Sequence, residues 1–193
     1  MTAKSRYIID AGKIEAATSG RTIALVGLMG AGKSTVGRRL ADALGREFYD
    51  SDGEIEKAAG LSIADIFTMH GEAEFRRGER RVLERLLDQR PHVLATGGGA
   101  YLDPATRDLL REKAITIWLN ADLETLWRRV SRRSHRPLLK TENPKGALSR
   151  LLDERTPIYE KADLVVRSQD GPHKATVNAI LQALEEWSGG QHV

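Results

Sequence analysis

With 193 residues, 40% of them apolar and none of them cysteine, the chain can bury a substantial single-domain core but has no disulfides, thiolate nucleophiles or Cys-ligated metals. Thirty Lys and Arg against 27 Asp and Glu leave a net charge of +3, too mild to imply a polyanionic partner unless the basic residues cluster. No stretch approaches the roughly 18 consecutive apolar residues that span a bilayer, so no membrane association is expected.

Residues 1–20 lack the apolar block of a secretory signal and the Arg and Ser richness of a transit peptide. They read as an N-terminal extension, poorly ordered or loosely docked, ahead of a single domain over 21–187 and a frayed tail at 188–193. Buried strands are expected at Thr22–Val26, Glu47–Tyr49, His92–Thr96, Ala114–Leu119 and Leu164–Arg167. Segments of helical period alternate with them, the pattern of an α/β protein with a parallel sheet.

The first strand runs into Gly27-Leu-Met-Gly30-Ala31-Gly32-Lys33-Ser34-Thr35, which matches G-x-x-x-x-G-K-[ST] and opens a helix predicted over Ser34–Leu44. Such a loop curls its backbone N–H groups around phosphate oxygens, with the helix dipole adding positive potential. Lys33 is then the group that reaches the β- and γ-phosphates, and Ser34 the hydroxyl ligand of Mg²⁺.

Asp50 and Asp52 follow the second strand, two residues apart and so on one face if the segment stays extended. One carboxylate would organise the Mg²⁺ shell and the other take a proton from an attacking hydroxyl; the alternative is that Asp52 merely caps a Gly53–Ala59 helix. A long helical stretch from about Asp52 to Gln89 comes next, an insertion between the second and third strands that contains a capping box at Ser62-Ile-Ala-Asp65. Within it Arg76 and Glu79 share a helix face, the geometry of an ordinary surface ion pair.

Gly97-Gly98-Gly99 after the third strand forfeits packing and chain entropy, which suits backbone approaching a ligand. Asp103-Pro104 and Asn143-Pro144 each place a side-chain acceptor ahead of a proline at a first helical position. Between Arg128 and Lys140 six Lys or Arg and His135 occur with no acid. Without interleaved aromatics beyond Trp127 this block does not read as a nucleic-acid contact, and Ser131–Thr141 fits a lid that closes on polyphosphate. Arg155, beside Asp153 and Glu154, would by itself be a solvated charge.

Taken together, the loop GLMGAGKST, the DSD after it, the run SIADIF…GEAEFRRGE, the triplet Gly97–Gly99, Arg136-Pro-Leu-Leu and Arg155-x-x-x-Tyr159 resemble shikimate kinase, in the family's order from about Ile23 to Val166. The resemblance implies a P-loop fold similar to nucleoside monophosphate kinases: a five-stranded parallel sheet flanked by helices, a substrate-binding insertion at about 52–89 and a lid at about 131–141. It implies Mg²⁺- and ATP-dependent phosphorylation of the 3-hydroxyl of shikimate. By the same likeness Asp52 holds the accepting hydroxyl and acts as base, and Asp50 lies near the magnesium. Arg76 and Arg155 grip the shikimate carboxylate, Glu79 orders Arg76, and Gly97, Gly98 and Gly99 donate N–H groups to substrate oxygens. Arg136 closes over the ATP phosphates and Arg129 lies against adenine, whereas Ser168–Pro172 is too variable to assign. A cytoplasmic monomer is expected. Two other readings stay open: a gluconate or nucleoside monophosphate kinase of the same fold, and a non-catalytic ATP-binding regulator. The glycine triplet and the arginine pair disfavour the first; the presence of Lys33 and Asp52 disfavours the second.

Overall fold

The computed structural model describes residues 11–132, 142–169 and 171–187. Its centre is a five-stranded sheet, β1 (Thr22–Val26), β2 (Phe48–Asp50), β3 (Val93–Ala95), β4 (Ala114–Asn120) and β5 (Leu164–Arg167), in the order β2-β3-β1-β4-β5. Every pairing is parallel, so all five C-terminal ends lie along one edge. β1 is central and Ile23, Ala24, Leu25 and Val26 are wholly buried, as expected of a strand covered on both faces.

Flanking helices complete the body: α1 (Ala11–Thr18), α2 (Lys33–Leu44), α3 (Ser51–Ala59), α4 (Ile63–Leu87), α5 (Pro104–Lys113), α6 (Leu123–Val130), α7 (Pro144–Tyr159) and α8 (His173–Glu186). A 3₁₀ turn at Ala100–Leu102 follows the glycine triplet. Three strands differ at their ends from expectation, β4 only by running on to Asn120. Glu47 contributes only its carbonyl, to Val93 N–H, and the ladder runs from Phe48↔Val93 to Asp50↔Ala95. His92 and Thr96 likewise bound β3, each through one backbone–backbone bond to β1.

Local chemistry sets the helix ends. Ser62 Oγ accepts from Asp65 N–H and donates to the Asp65 carboxylate (2.6 Å), Asp103 Oδ2 accepts from Thr106 N–H (2.9 Å), and Asn143 Oδ1 accepts from Gly146 N–H (2.9 Å). The helical stretch expected from about Asp52 to Gln89 divides between its Gly53–Ala59 part and the capping box at Ser62. Gly60, at φ 66°, ends α3 with its N–H on Glu56 O, and Ser62 restarts the chain as α4. α4 is itself broken at Gly71, whose φ of 76° and ψ of 174° lie outside helical space.

The N-terminal segment also departs from expectation. Residues 11–20 are not a loose extension: α1 packs on α8, Ile14 is 1% exposed, and Arg46 donates to Glu15 (2.5 Å), Thr18 Oγ1 and the Arg21 carbonyl. Burial of one isoleucine and this arginine clasp fix the helix to the body. Residues 1–10, most of the expected lid at 131–141 including Arg136, and the tail at 188–193 lie outside the described residues. Among the described residues no helix is long and apolar enough to cross a membrane.

Candidate active site

The C-terminal edge of the sheet carries a cleft of about 510 Å³, floored by the loop between β1 and α2. Gly30 (φ 84°) and Gly32 (φ 97°) turn this loop through the left-handed region. No side chain caps α2, which leaves its first amides directed at the cleft. Lys33 Nζ donates to the Gly27 and Leu28 carbonyls, at 2.6 and 3.1 Å. Ser34 Oγ donates to Asp50 Oδ2 at 2.5 Å, so the hydroxyl and one carboxylate expected to serve a metal stand side by side.

Opposite the loop, Arg129 of α6 stitches three segments together. Its Nη1 donates to the Gly30 and Ala31 carbonyls (both 3.3 Å) and to Ser168 Oγ (3.0 Å), and its Nη2 to Gln169 O (2.7 Å). Ser168 in turn donates to Ala31 O. Arg129, Arg132, Gly171 and His173 line the same cleft. Burial, reinforced by the nearby Arg129 and Arg39 cations, holds the His173 pKa below its ordinary value.

The acidic pair is arranged differently from the extended spacing foreseen. The chain turns helical at Ser51, so Asp50 is the cap of α3, its Oδ1 accepting from Asp52 N–H (3.2 Å), and Asp52 sits in the first turn. The cap function proposed for Asp52 belongs to Asp50. Asp52 instead faces the triplet: a Cβ on Gly97 would lie 2.5 Å from Asp52 Oδ1 and 3.2 Å from Glu79 Oε1, and one on Gly99 would lie 2.6 Å from Arg76 Nη2. Only backbone without side chains permits this approach.

Arg76 and Glu79 are not a surface pair. Arg76 Nη1 donates to Glu79 Oε2 at 2.7 Å and the Glu79 side chain is 2% exposed; Glu72 takes the second guanidinium nitrogen at 3.3 Å. Burial raises the Glu79 pKa, against the pull of Arg76 and with help from the Asp52 and Asp103 carboxylates. For Arg76, burial opposes the charge, but Glu79 and Glu72 outweigh it and the pKa rises. On the other flank of the triplet, the Gly98 carbonyl accepts from Arg155 Nη1 (3.4 Å) and from Tyr159 Oη (2.6 Å), so Arg155 is not a solvated charge.

The expected role of the triplet needs one correction. The Gly97 N–H donates to Ser51 Oγ (2.9 Å), a side chain with no exposure, and is therefore committed within the protein. Lys33, Ser34, Asp50, Asp52, Gly98 and Arg129 line one cleft with Gly30, Gly32 and Thr35, while Arg76, Glu79, Gly97, Gly99 and Arg155 cluster at the triplet. Sequence reasoning missed Arg132 and His173 in the cleft, and gave no role to Ser51 or Tyr159. Position at the start of a helix just after a strand end, in a Gly171-Pro172-His173 turn, was the available signal for His173.

Comparison with known proteins agrees over most of the chain. A family model described as shikimate kinase matches residues 29–185. The chain is 53% identical over 175 residues to a shikimate kinase of Rhodopseudomonas palustris, covering 91% of this chain and 86% of that one. It is 55% identical over 166 residues to one from Caulobacter vibrioides, covering 86% and 83%. A solved shikimate kinase from Acinetobacter baumannii, in complex with shikimate, superposes with a TM-score of 0.82 at 42% identity over 89% of this chain and 96% of that one. A gluconokinase from Sinorhizobium meliloti shares the fold, with a TM-score of 0.60 at 21% identity over 86% of this chain and 91% of that one.

Proposed function

The chain belongs to the shikimate kinase family, and from that premise we propose that it transfers the γ-phosphoryl group of ATP to the 3-hydroxyl of shikimate, yielding 3-phosphoshikimate and ADP for aromatic amino-acid (chorismate) biosynthesis. The observation that carries this reading is the meeting of Arg76, Arg155 and Asp52 at one glycine triplet, on the sheet edge that also bears the phosphate loop. Two arginines suit an anionic group such as a carboxylate, and an aspartate beside them suits an accepting hydroxyl, which the accepting phosphate of a nucleoside monophosphate does not need.

In the proposed reaction the loop amides and the α2 N-terminus hold the β- and γ-phosphates, and Lys33 exchanges its backbone carbonyl partners for phosphate oxygens. Asp52 orients the 3-hydroxyl and accepts its proton as the oxygen bonds to the γ-phosphorus; the bond to the β–γ bridging oxygen breaks and ADP carries away that electron pair. Arg76, steadied by Glu79, and Arg155 hold the carboxylate and thereby fix which hydroxyl faces the nucleotide. Arg129 borders the nucleobase end, and Arg136, assigned by its motif alone, would close over the phosphates as part of a lid at 131–141, with the substrate-binding insertion at 52–89.

Mg²⁺ fits the residues present. Ser34 Oγ and Asp50 Oδ2 are adjacent hard oxygen donors, which suits an ion that keeps phosphate and water ligands. When bound it would neutralise phosphate charge. A monomer in a cytoplasmic setting completes the proposal, the setting supported by ATP as co-substrate. A coupled ADP-release assay with shikimate, quinate, gluconate and AMP tests the reading: turnover with shikimate far above the rest is expected, and preference for gluconate or AMP would overturn it.

A further inference from the structure

The glycine triplet has no side chains with which to anchor itself, yet Asp52, Glu79, Arg76 and Arg155 all take their positions against it. Its ties to distant side chains are few and buried. On one side the Gly97 N–H reaches Ser51 Oγ, 46 residues away; on the other the Gly98 carbonyl receives Tyr159 Oη, 61 residues away. Both side chains are sealed from solvent, at 0% and 1% exposure.

Resting on the functional reading above, we infer that Ser51 and Tyr159 are positioning residues that clamp the triplet at two points, Gly97 and Gly98, Ser51 setting the hydroxyl-activating side and Tyr159 the carboxylate-binding side. The division follows from their neighbours. Ser51 stands between Asp50 and Asp52 in the first turn of α3, so its bond fixes the approach of that turn to Gly97. Without it the buried Gly97 N–H loses its partner, and the Asp52 and Glu79 carboxylates already crowd this glycine, at 2.5 and 3.2 Å from where a Cβ would stand. An amide that turns to Asp52 occupies the lone pairs needed by the substrate hydroxyl. That change slows the chemical step and leaves the carboxylate grip alone.

Tyr159 lies one helical turn beyond Arg155 and shares its acceptor. The ring is fixed independently of the hydroxyl, stacked with Tyr101 (centroids 6.3 Å apart) and Trp118 (6.0 Å). Burial raises the Tyr159 pKa, so Oη remains a donor through the neutral range. Removing that hydroxyl leaves Arg155 as the remaining side-chain donor to Gly98 O, diverting the guanidinium from the substrate. The loss then falls on shikimate binding.

Steady-state kinetics of Ser51→Ala, Ser51→Thr and Tyr159→Phe test the clamp, with thermal unfolding to verify folding. Ser51→Ala is expected to lower kcat by roughly tenfold or more with the KM for shikimate within about threefold, the size of one lost hydrogen bond that matters in the transition state. Ser51→Thr, which keeps the acceptor oxygen, restores kcat. Tyr159→Phe raises the shikimate KM by roughly tenfold with kcat within about threefold, and the KM for ATP stays unchanged in all three. The proposal is overturned if Ser51→Ala and Tyr159→Phe change kcat and KM together, if neither changes either, or if folded Ser51→Thr is as slow as Ser51→Ala. Should Ser51→Ala not fold, Tyr159→Phe decides alone: a change in kcat, or no change in KM, overturns the clamp. Wild-type protein without shikimate turnover would instead remove the functional reading itself.

Discussion

Lys33 donates to two carbonyls of its own loop, so truncating it removes both an internal tie and the charge offered to phosphate. Lys33→Ala is expected to reduce kcat at least a hundredfold while circular dichroism stays native, since such contacts contribute several kcal/mol to phosphoryl-transfer barriers; a variant keeping more than about a tenth of the rate contradicts the assignment. Gly99→Ala acts through crowding. The added methyl meets the end of Arg76, a movable group, so the fold persists while the KM for shikimate rises by roughly tenfold, in steady-state assays, as the guanidinium is displaced from Glu79. Replacing Arg76 or Arg155 with Lys should weaken kcat/KM for shikimate by about 1.5–3 kcal/mol and leave the KM for ATP unchanged, because a point charge cannot hold a carboxylate bidentately. At this scale the phosphate loop, the acidic pair and the triplet were legible because each is a local pattern with its own chemistry. Ser51 and Tyr159 were not, because their partners lie 46 and 61 residues away and only the folded sheet edge joins them.

At the scale of elements, α4 begins on a capping box whose Ser62 hydroxyl both accepts and donates. Ser62→Ala should lower the unfolding free energy by about 1 kcal/mol and the melting temperature by about 2–4 °C, measured by urea and thermal denaturation. The caps at Ser62, Asp103 and Asn143 were readable because capping is a property of three or four consecutive residues. The break at Gly71 was not readable in the same way. Helix-forming residues stand on both sides of it, so periodicity runs through, and only its backbone angles reveal the interruption. α1 escaped notice for a related reason: its anchor, Ile14, is buried against residues at the opposite end of the chain.

For the whole molecule, the alternation of strands and helices foretold a parallel sheet, but the order β2-β3-β1-β4-β5 depends on crossovers that no local pattern encodes. Stability should depend on pH through His92, which lies wholly buried at the start of β3. Its Nδ1 is 2.9 Å from the Arg90 carbonyl and its Nε2 has no partner, so a second proton would place an unsatisfied cation in the core; burial accordingly lowers its pKa. The unfolded chain therefore binds the proton first as pH falls below about 6.5, and stability declines from there toward the lower native pKa, by up to about 1.4 kcal/mol per pH unit for this group. Urea unfolding at pH 7.5, 6.5 and 5.5 should show that decline, and His92→Gln should flatten it whatever its effect on absolute stability. A different consequence follows from where the two arginines are mounted. Arg76 belongs to α4, within the insertion, and Arg155 to α7, on the far side of the sheet in sequence, with Gly98 and Gly99 between them. On the proposed reading of these two arginines, recognition is therefore not a module that recombination can exchange in one cut. A chimera that imports 52–89 from a kinase for another small acid would inherit half of a foreign grip and half of this one, so new substrate ranges on this scaffold must arise by paired change at both helices.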